Sequence, residues 1–201
     1  MSILDLKYKG KIGYFVTNAI FEMYRFLKYY RVKDITYLKK KFLRMQGYSL
    51  DIEHPKSLNE KLQWLKIYDR RPIYTTLADK YGVRDYIEKE FGEDLLIPLL
   101  FETTDYKKVV PENLPNEPFI LKANHDSGSF VIVRDKTKID WKKVQVDCHW
   151  WLTKNYYWID REWQYKTIQP RIIVEKLLTD TLNAAMTAPF LFPLTSNKNV
   201  P

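Results

Sequence analysis

The sequence holds one cysteine, Cys148, in 201 residues. A disulfide framework is excluded, and a reducing compartment is expected. No long apolar run is present. The best stretch, Ile12 to Phe21, is too short and too polar to span a bilayer. No apolar segment precedes a small-residue cleavage site, so no secretory signal is read and a cytoplasmic location is expected. No internal repeat is visible. No helix-turn-helix, zinc or RNP-type signature is present, which argues against a nucleic acid partner. There is no Asp-x-Asp motif of the kind a metal-dependent glycosyltransferase of the common type carries on a loop. Histidine is scarce too. Of the three, His54 and His149 read as structural.

What is present is aromatic and, in one segment, basic. Aromatic residues make up 15% of the chain, enough for a core and for part of a surface. The net charge is +8, and residues 1–50 hold eleven Lys or Arg against three Asp or Glu, so all of it belongs to that segment. The remainder is balanced, with 22 of each sign.

The basic segment reads as helical over 11–46. Ile12, Phe15, Val16, Ala19, Ile20, Met23, Phe26, Leu27 and Tyr30 recur at three- and four-residue steps, and Ile35, Leu38, Phe42 and Met45 continue the pattern. A helical cap packed on the rest of the protein, with a solvated basic face, is the favoured reading. Contact with an anionic membrane, peripheral at its inner face, is the minority reading.

Ser57-Leu58-Asn59-Glu60 is a capping box that starts a helix running to Tyr68. A second helix is predicted over Thr76 to Phe91, with Asp79-Lys80 in its first turn and Gly92 at its C-terminal end. Leu95 to Phe101 reads as a strand, at an edge or bulged because of Pro98. Asp140 can cap a helix carrying Trp141, Val144, Trp151 and Leu152. An aromatic-rich segment follows, and Arg171 to Leu178 reads as a buried strand. From Thr179 onward the patterning stops. Strands and helices mix without strict alternation, which predicts an α+β fold. Three regions are expected: a helical region 1–75, an α+β unit 76–178 and an irregular tail 179–201.

The stretch Pro118 to Arg134 reads as strand, polar loop, strand. Lys122, Asn124, His125, Asp126, Ser127, Gly128 and Ser129 lie between the apolar runs. A Lys at a strand end, a Gly, hydroxyls and loop amides suit a phosphate-binding loop. An ordinary polar hairpin loop accounts for the same residues about equally well. His125 is more often a hydrogen-bonded anchor than a catalyst in such a place. Cys148, with no His–Asp partner pattern, reads as a buried thiol.

Several pieces together resemble the TupA-like branch of the ATP-grasp superfamily, proteins of bacterial cell-surface and capsular polysaccharide assembly. They are NEKLQWLKIYDR at 59–70, LADKYGVRDYI at 77–87, LIPLL at 96–100, FILKANHDSGSFVIVRDK at 119–136 and REWQYKTIQPRIIVEKLL at 161–178. The resemblance implies an ATP-grasp-like first subdomain, an antiparallel sheet with helices, preceded by the helical region. It implies ATP and Mg²⁺ as cofactors. Lys122 and Lys80 would reach the phosphates, and the loop Asn124, His125, Ser127, Gly128 and Ser129 would fold over them. Val174, Glu175, Lys176 and Leu177 of the hinge strand would face the adenine. Arg161, Glu162 and Tyr165 are included in the resemblance. They either meet a sugar or polyanionic acceptor or pin the segment before the hinge strand.

The activity implied is carboxylate–amine ligation, with a uronic acid or polysaccharide precursor as acceptor and an amino acid as the amine. Metal ligands normally follow the hinge strand on the second subdomain, and Asp180, Asn183, Asn197 and Asn199 lack the expected spacing. The expectation is therefore a truncated, frameshifted or fragmentary chain that does not turn over ATP, disordered from about Thr181. A glycosyltransferase and a non-catalytic remnant are the alternatives.

Overall fold

The computed structural model describes residues 10–178 apart from Phe26, Lys28 and Tyr29. The expectations for the tail, including Asp180, Asn183, Asn197 and Asn199, lie outside the described residues.

Four strands form one sheet: β1 (Leu99–Thr103), β2 (Phe119–Ala123), β3 (Phe130–Val133) and β4 (Ile172–Lys176). Their spatial order is β1-β4-β2-β3 and every pairing is antiparallel, so the last strand in sequence is central. β1 is an edge strand with a register shift between Leu99 and Phe101, beside Pro98. Proline cannot donate to a ladder, so an edge with a bulge is where it fits. The strand begins later than its apolar run suggests, because Glu93–Leu95 form a 3-10 turn.

Period-two alternation gives the sheet two unlike faces. Phe119, Leu121, Ala123, Val133, Ile172 and Val174 face one core with Val144, Cys148 and Trp151 of the helix Trp141–Thr153. Asp140 caps that helix by accepting from the Lys143 amide. The other face carries Lys122 of β2 and Glu175 of β4. The expected α+β class is the observed one.

The helices, in chain order, are α1 (Gly10–Arg25), α2 (Asp34–Gln46), α3 (Leu58–Tyr68), α4 (Ile73–Ala78), α5 (Val83–Phe91), α6 (Trp141–Thr153) and α7 (Tyr157–Asp160). The segment read as helical over 11–46 holds two α-helices, with Lys33 extended before the second. The pattern hides this break because both halves keep helical spacing. α2 packs as a cap: Leu38 and Phe42 form a small core with Leu50 and Ile52. α1 turns Ile12, Phe15 and Met23 outward. At α3 the capping box is complete, with Ser57 Oγ accepting from the Glu60 amide and Glu60 accepting from the Ser57 amide.

The helix predicted over 76–91 is also two, α4 and α5. Asp79 stops the first by adopting an extended backbone and accepting from the Tyr81 amide at 2.9 Å. Lys80 thus sits in a break rather than in a first helical turn. Tertiary bonds to the β2–β3 loop fix the break, which local propensity does not register.

α7 ties the helical region to the sheet unit. Asp34 accepts from Tyr157 Oη at 2.6 Å, Lys41 pairs with Asp160, and Lys66 pairs with Glu162 at 3.2 Å. Arg161, 0% exposed, takes a left-handed backbone at φ 56° and stacks on Tyr37 and Trp158 at 4.7 and 4.8 Å. The left-handed conformation costs about 1–2 kcal/mol for a residue with a Cβ. The aromatic contacts and the Asp34 carboxylate 3.6 Å away offset it.

Burial pushes the Cys148 thiol up to about 12. The folded protein is expected to leave Cys148 unmodified by a thiol-reactive disulfide reagent at pH 8, and to expose one reactive thiol in urea. Rapid modification without denaturant would contradict the packing around α6.

Candidate nucleotide site

The β2–β3 loop, Asn124 to Ser129, is held by polar groups rather than by apolar packing. Asn124 is buried at its base. Its Nδ2 donates to Asp79 Oδ1 at 2.8 Å and to the Gln169 carbonyl at 3.0 Å, and its Oδ1 accepts from the Arg171 amide at 2.7 Å. Its backbone pairs with Arg171 on one side and with the Lys80 amide on the other. One side chain therefore ties the loop to the α4–α5 break and to the entry of β4.

Lys80 reaches in from that break. Its ammonium donates to the carbonyls of Ala123 at 3.1 Å, Asn124 at 3.4 Å and Asp126. These bonds engage all three of its protons. Burial, with the neighbouring Lys122 charge, pulls its pKa below the ordinary lysine value, and Asp126 and Asp79 work against that. In this state Lys80 holds the loop's turn and adds positive charge behind it.

His125 is buried as well. Nδ1 faces Asn124 Oδ1 at 2.9 Å and Nε2 faces the Trp151 carbonyl at 3.0 Å, which anchors the loop to α6. Burial lowers its pKa, opposed by Asp126 and by the Trp151 carbonyl. With both ring nitrogens engaged, it serves as an anchor.

Asp126, whose charge is awkward for a phosphate loop, turns inward. It accepts from Ser129 Oγ, and its Oδ1 is buried with no hydrogen-bond partner among the described residues. The carboxylate is thereby kept off the loop tip. Ser127 and Gly128 form the exposed tip, with Gly128 at φ 94°. Open space surrounds the position of a Cβ there, so the backbone alone requires glycine.

Lys122 lies on the other face from α6. Its Nζ is 2.6 Å from Glu175 Oε2, and Arg84 Nη1 is 3.5 Å from Glu175 Oε1. Arg84 also donates to the Ile97 carbonyl at 2.8 Å. The buried Glu175 carboxylate thus sits between two cations from β2 and α5. Sequence reasoning did not single out Arg84. Its signal, a lone Arg inside an amphipathic helix, carries no motif. The sequence presents Asp79 only as the neighbour of Lys80 in an Asp-Lys pair, whereas in the fold it accepts a hydrogen bond from Asn124.

The hinge residues divide. Val174 is buried against α6, so its side chain is turned away from the charged face. Lys176 is exposed and lies 3.5 Å from Glu117. The Lys176 and Leu177 amides donate to the carbonyls of Pro98 and Pro118, each at 3.1 Å. The chain itself takes up these backbone donors. A cavity of about 440 Å³ opens beside Arg84 and Pro98, but Glu88, Glu93 and Asp94 line it, which suits no triphosphate.

Arg161, Glu162 and Tyr165 are not brought together as one polar surface. Arg161 is enclosed by Tyr37 and Trp158, and Glu162 is paired with Lys66. Tyr165 is half-buried against Tyr156, with its pKa raised by burial and then by Glu162 and Asp126. Arg161 and Glu162 join α7 to the helical region.

Among the described residues no three His, Cys, Asp or Glu side chains converge as a metal cage. The described residues do not by themselves fit Mg²⁺.

A four-stranded antiparallel sheet, with a polar loop flanked by Lys80 and Lys122 at one strand end and a central strand offering a buried acid, is the arrangement of an ATP-grasp-like subdomain. The sequence model of the TupA-like ATPgrasp family matches residues 60–187. The chain belongs to the TupA-like ATP-grasp family. α1 and α2 precede the matched region. Among curated proteins and among solved structures no match is found.

Replacing Asn124 by Ala leaves the Arg171 amide, the Asp79 carboxylate and the Gln169 carbonyl short of a partner at a buried point. Asn124→Ala is expected to destabilise the protein by about 3 kcal/mol in urea unfolding, since each unsatisfied buried group costs ~1–3 kcal/mol. A loss under about 1 kcal/mol would show that water replaces the amide and that the network is not what holds the loop.

Proposed function

We propose that this chain binds the phosphates of ATP at the mouth of the β2–β3 loop. It would do so as the nucleotide-holding part of a carboxylate–amine ligase of cell-surface polysaccharide assembly. The observation that carries the proposal is the pair of lysines around a loop fixed in advance. Lys80 is locked beneath the turn, and Lys122 stands at the strand end with a single contact to Glu175. Membership of the TupA-like ATP-grasp family supports ATP as the nucleotide.

The chemistry asks for this arrangement. Phosphoryl transfer depends chiefly on positioning and on charge stabilisation. Lys122 can exchange its carboxylate partner for a phosphate oxygen, while Arg84 keeps Glu175 compensated. Lys80 acts through the loop it holds, and its low-dielectric surroundings strengthen its field at the phosphates. The acceptor, a uronic acid or polysaccharide precursor, and the amino acid follow from the family resemblance.

Isothermal titration with ATP and, in parallel, with a sugar nucleotide tests the proposal. ATP is expected to bind and the sugar nucleotide is not. Lys122→Ala should weaken ATP binding by ~1.5–3 kcal/mol, the range for a hydrogen bond to a charged group. Unchanged ATP affinity in that variant would remove Lys122 from the site. Preferential binding of the sugar nucleotide would favour a glycosyltransferase instead.

A further inference from the structure

α1 is amphipathic with its apolar stripe turned outward. Ile12, Phe15, Val16, Ile20 and Met23 follow helical spacing along one face and are all exposed. Exposure reaches 81% at Ile12, 72% at Phe15 and 64% at Met23, and Leu27 beyond the helix is exposed too. The inner face holds Thr17, whose hydroxyl donates to the Gly13 carbonyl at 2.7 Å, and Phe21, which meets Trp150 of α6 edge-on at 5.5 Å. A helix that packs on a globular protein places its apolar stripe inward. Here the inner face carries Thr17 and the Phe21–Trp150 contact, and the stripe is left to an outside partner.

The basic charge of the segment points to that partner. Residues 10–33 hold five Lys or Arg and one Glu, and Arg31 and Lys33 are exposed just past the helix. An exposed apolar helix face in a basic segment, with exposed cations just past its end, matches the boundary between acyl chains and anionic headgroups. Tyr24 and Tyr30, both part-exposed, suit the same boundary. At 16 residues the helix is about 24 Å long, short of the ~20 apolar residues a span needs, so it would lie in the interface plane. Among the described residues no helix is long and apolar enough to cross a membrane.

We infer that α1 docks the protein on anionic lipid through Ile12, Phe15, Val16, Ile20 and Met23. The inference is independent of ATP binding.

Flotation of the full chain with vesicles of phosphatidylcholine, and of phosphatidylcholine with a third phosphatidylglycerol, tests it. Binding is expected with the anionic vesicles, to weaken in high salt, and to fall at least about tenfold in the triple variant Ile12→Ser, Phe15→Ser, Met23→Ser. The urea midpoint of that variant should equal the parent's, because the three side chains are exposed. Three results would overturn the inference. The first is equal or absent binding to both vesicle types. The second is a lowered midpoint, which would show the face packed on the protein. The third is a dimer in sedimentation that the same substitutions dissolve with no lipid binding, which would assign the face to a second copy.

Discussion

The Asn124 amide joins three segments that are far apart in sequence: the β2–β3 loop, the α4–α5 break at Asp79, and the entry of β4 at Gln169 and Arg171. Each of these has its own local reason to exist, but none alone fixes the loop. The break is stable because Asp79 is used twice, by the Tyr81 amide and by Asn124. The break then aims Lys80 at the loop carbonyls. Without it, Lys80 would sit on a continuous helix facing elsewhere. The placing of the Lys80 charge beside the loop therefore depends on the hydrogen bonds of Asn124 and Asp79.

The sheet supplies the second constraint. Placing the last strand in the centre sets Glu175 beside Lys122, with Arg84 of α5 closing the group. A buried carboxylate flanked by two cations is costly to break, since removal of one partner exposes the other's charge in a dry site. A displaced Lys122 is tolerable only because Arg84 remains. This division of labour, one cation fixed by a carbonyl and one freer, lets a rigid face present a charge that can change partner.

Much of the sheet unit was legible in the sequence. The run Phe119–Leu121, the run Phe130–Val133 and the buried strand near Ile172 are short and apolar with a polar loop between, and β-branched residues decide such cases. The capping box at Ser57 was legible because its two hydrogen bonds are local. The two helix breaks were not. Lys33 and Asp79 interrupt helices through contacts that are distant in sequence, with Tyr157 meeting Asp34 and Asn124 meeting Asp79. The outward face of α1 was hidden for the same reason, as spacing shows that a stripe exists and not which way it turns. At the loop, the sequence identified the residue types around the turn but not their division into holders and free groups. Asn124, His125 and Ser129 are engaged within the protein, and Ser127 and Gly128 are exposed.

The central claim is that the loop is ordered at its base before any nucleotide arrives. Amide hydrogen exchange resolved to single residues, with and without ATP, tests it most directly. The account predicts slow exchange at the Asn124 and Arg171 amides in the free protein, with ATP slowing only the tip at Ser127 and Gly128. Fast exchange at Asn124 and Arg171 that becomes slow when ATP is added would contradict it, because the loop would then be built by the nucleotide rather than waiting for it.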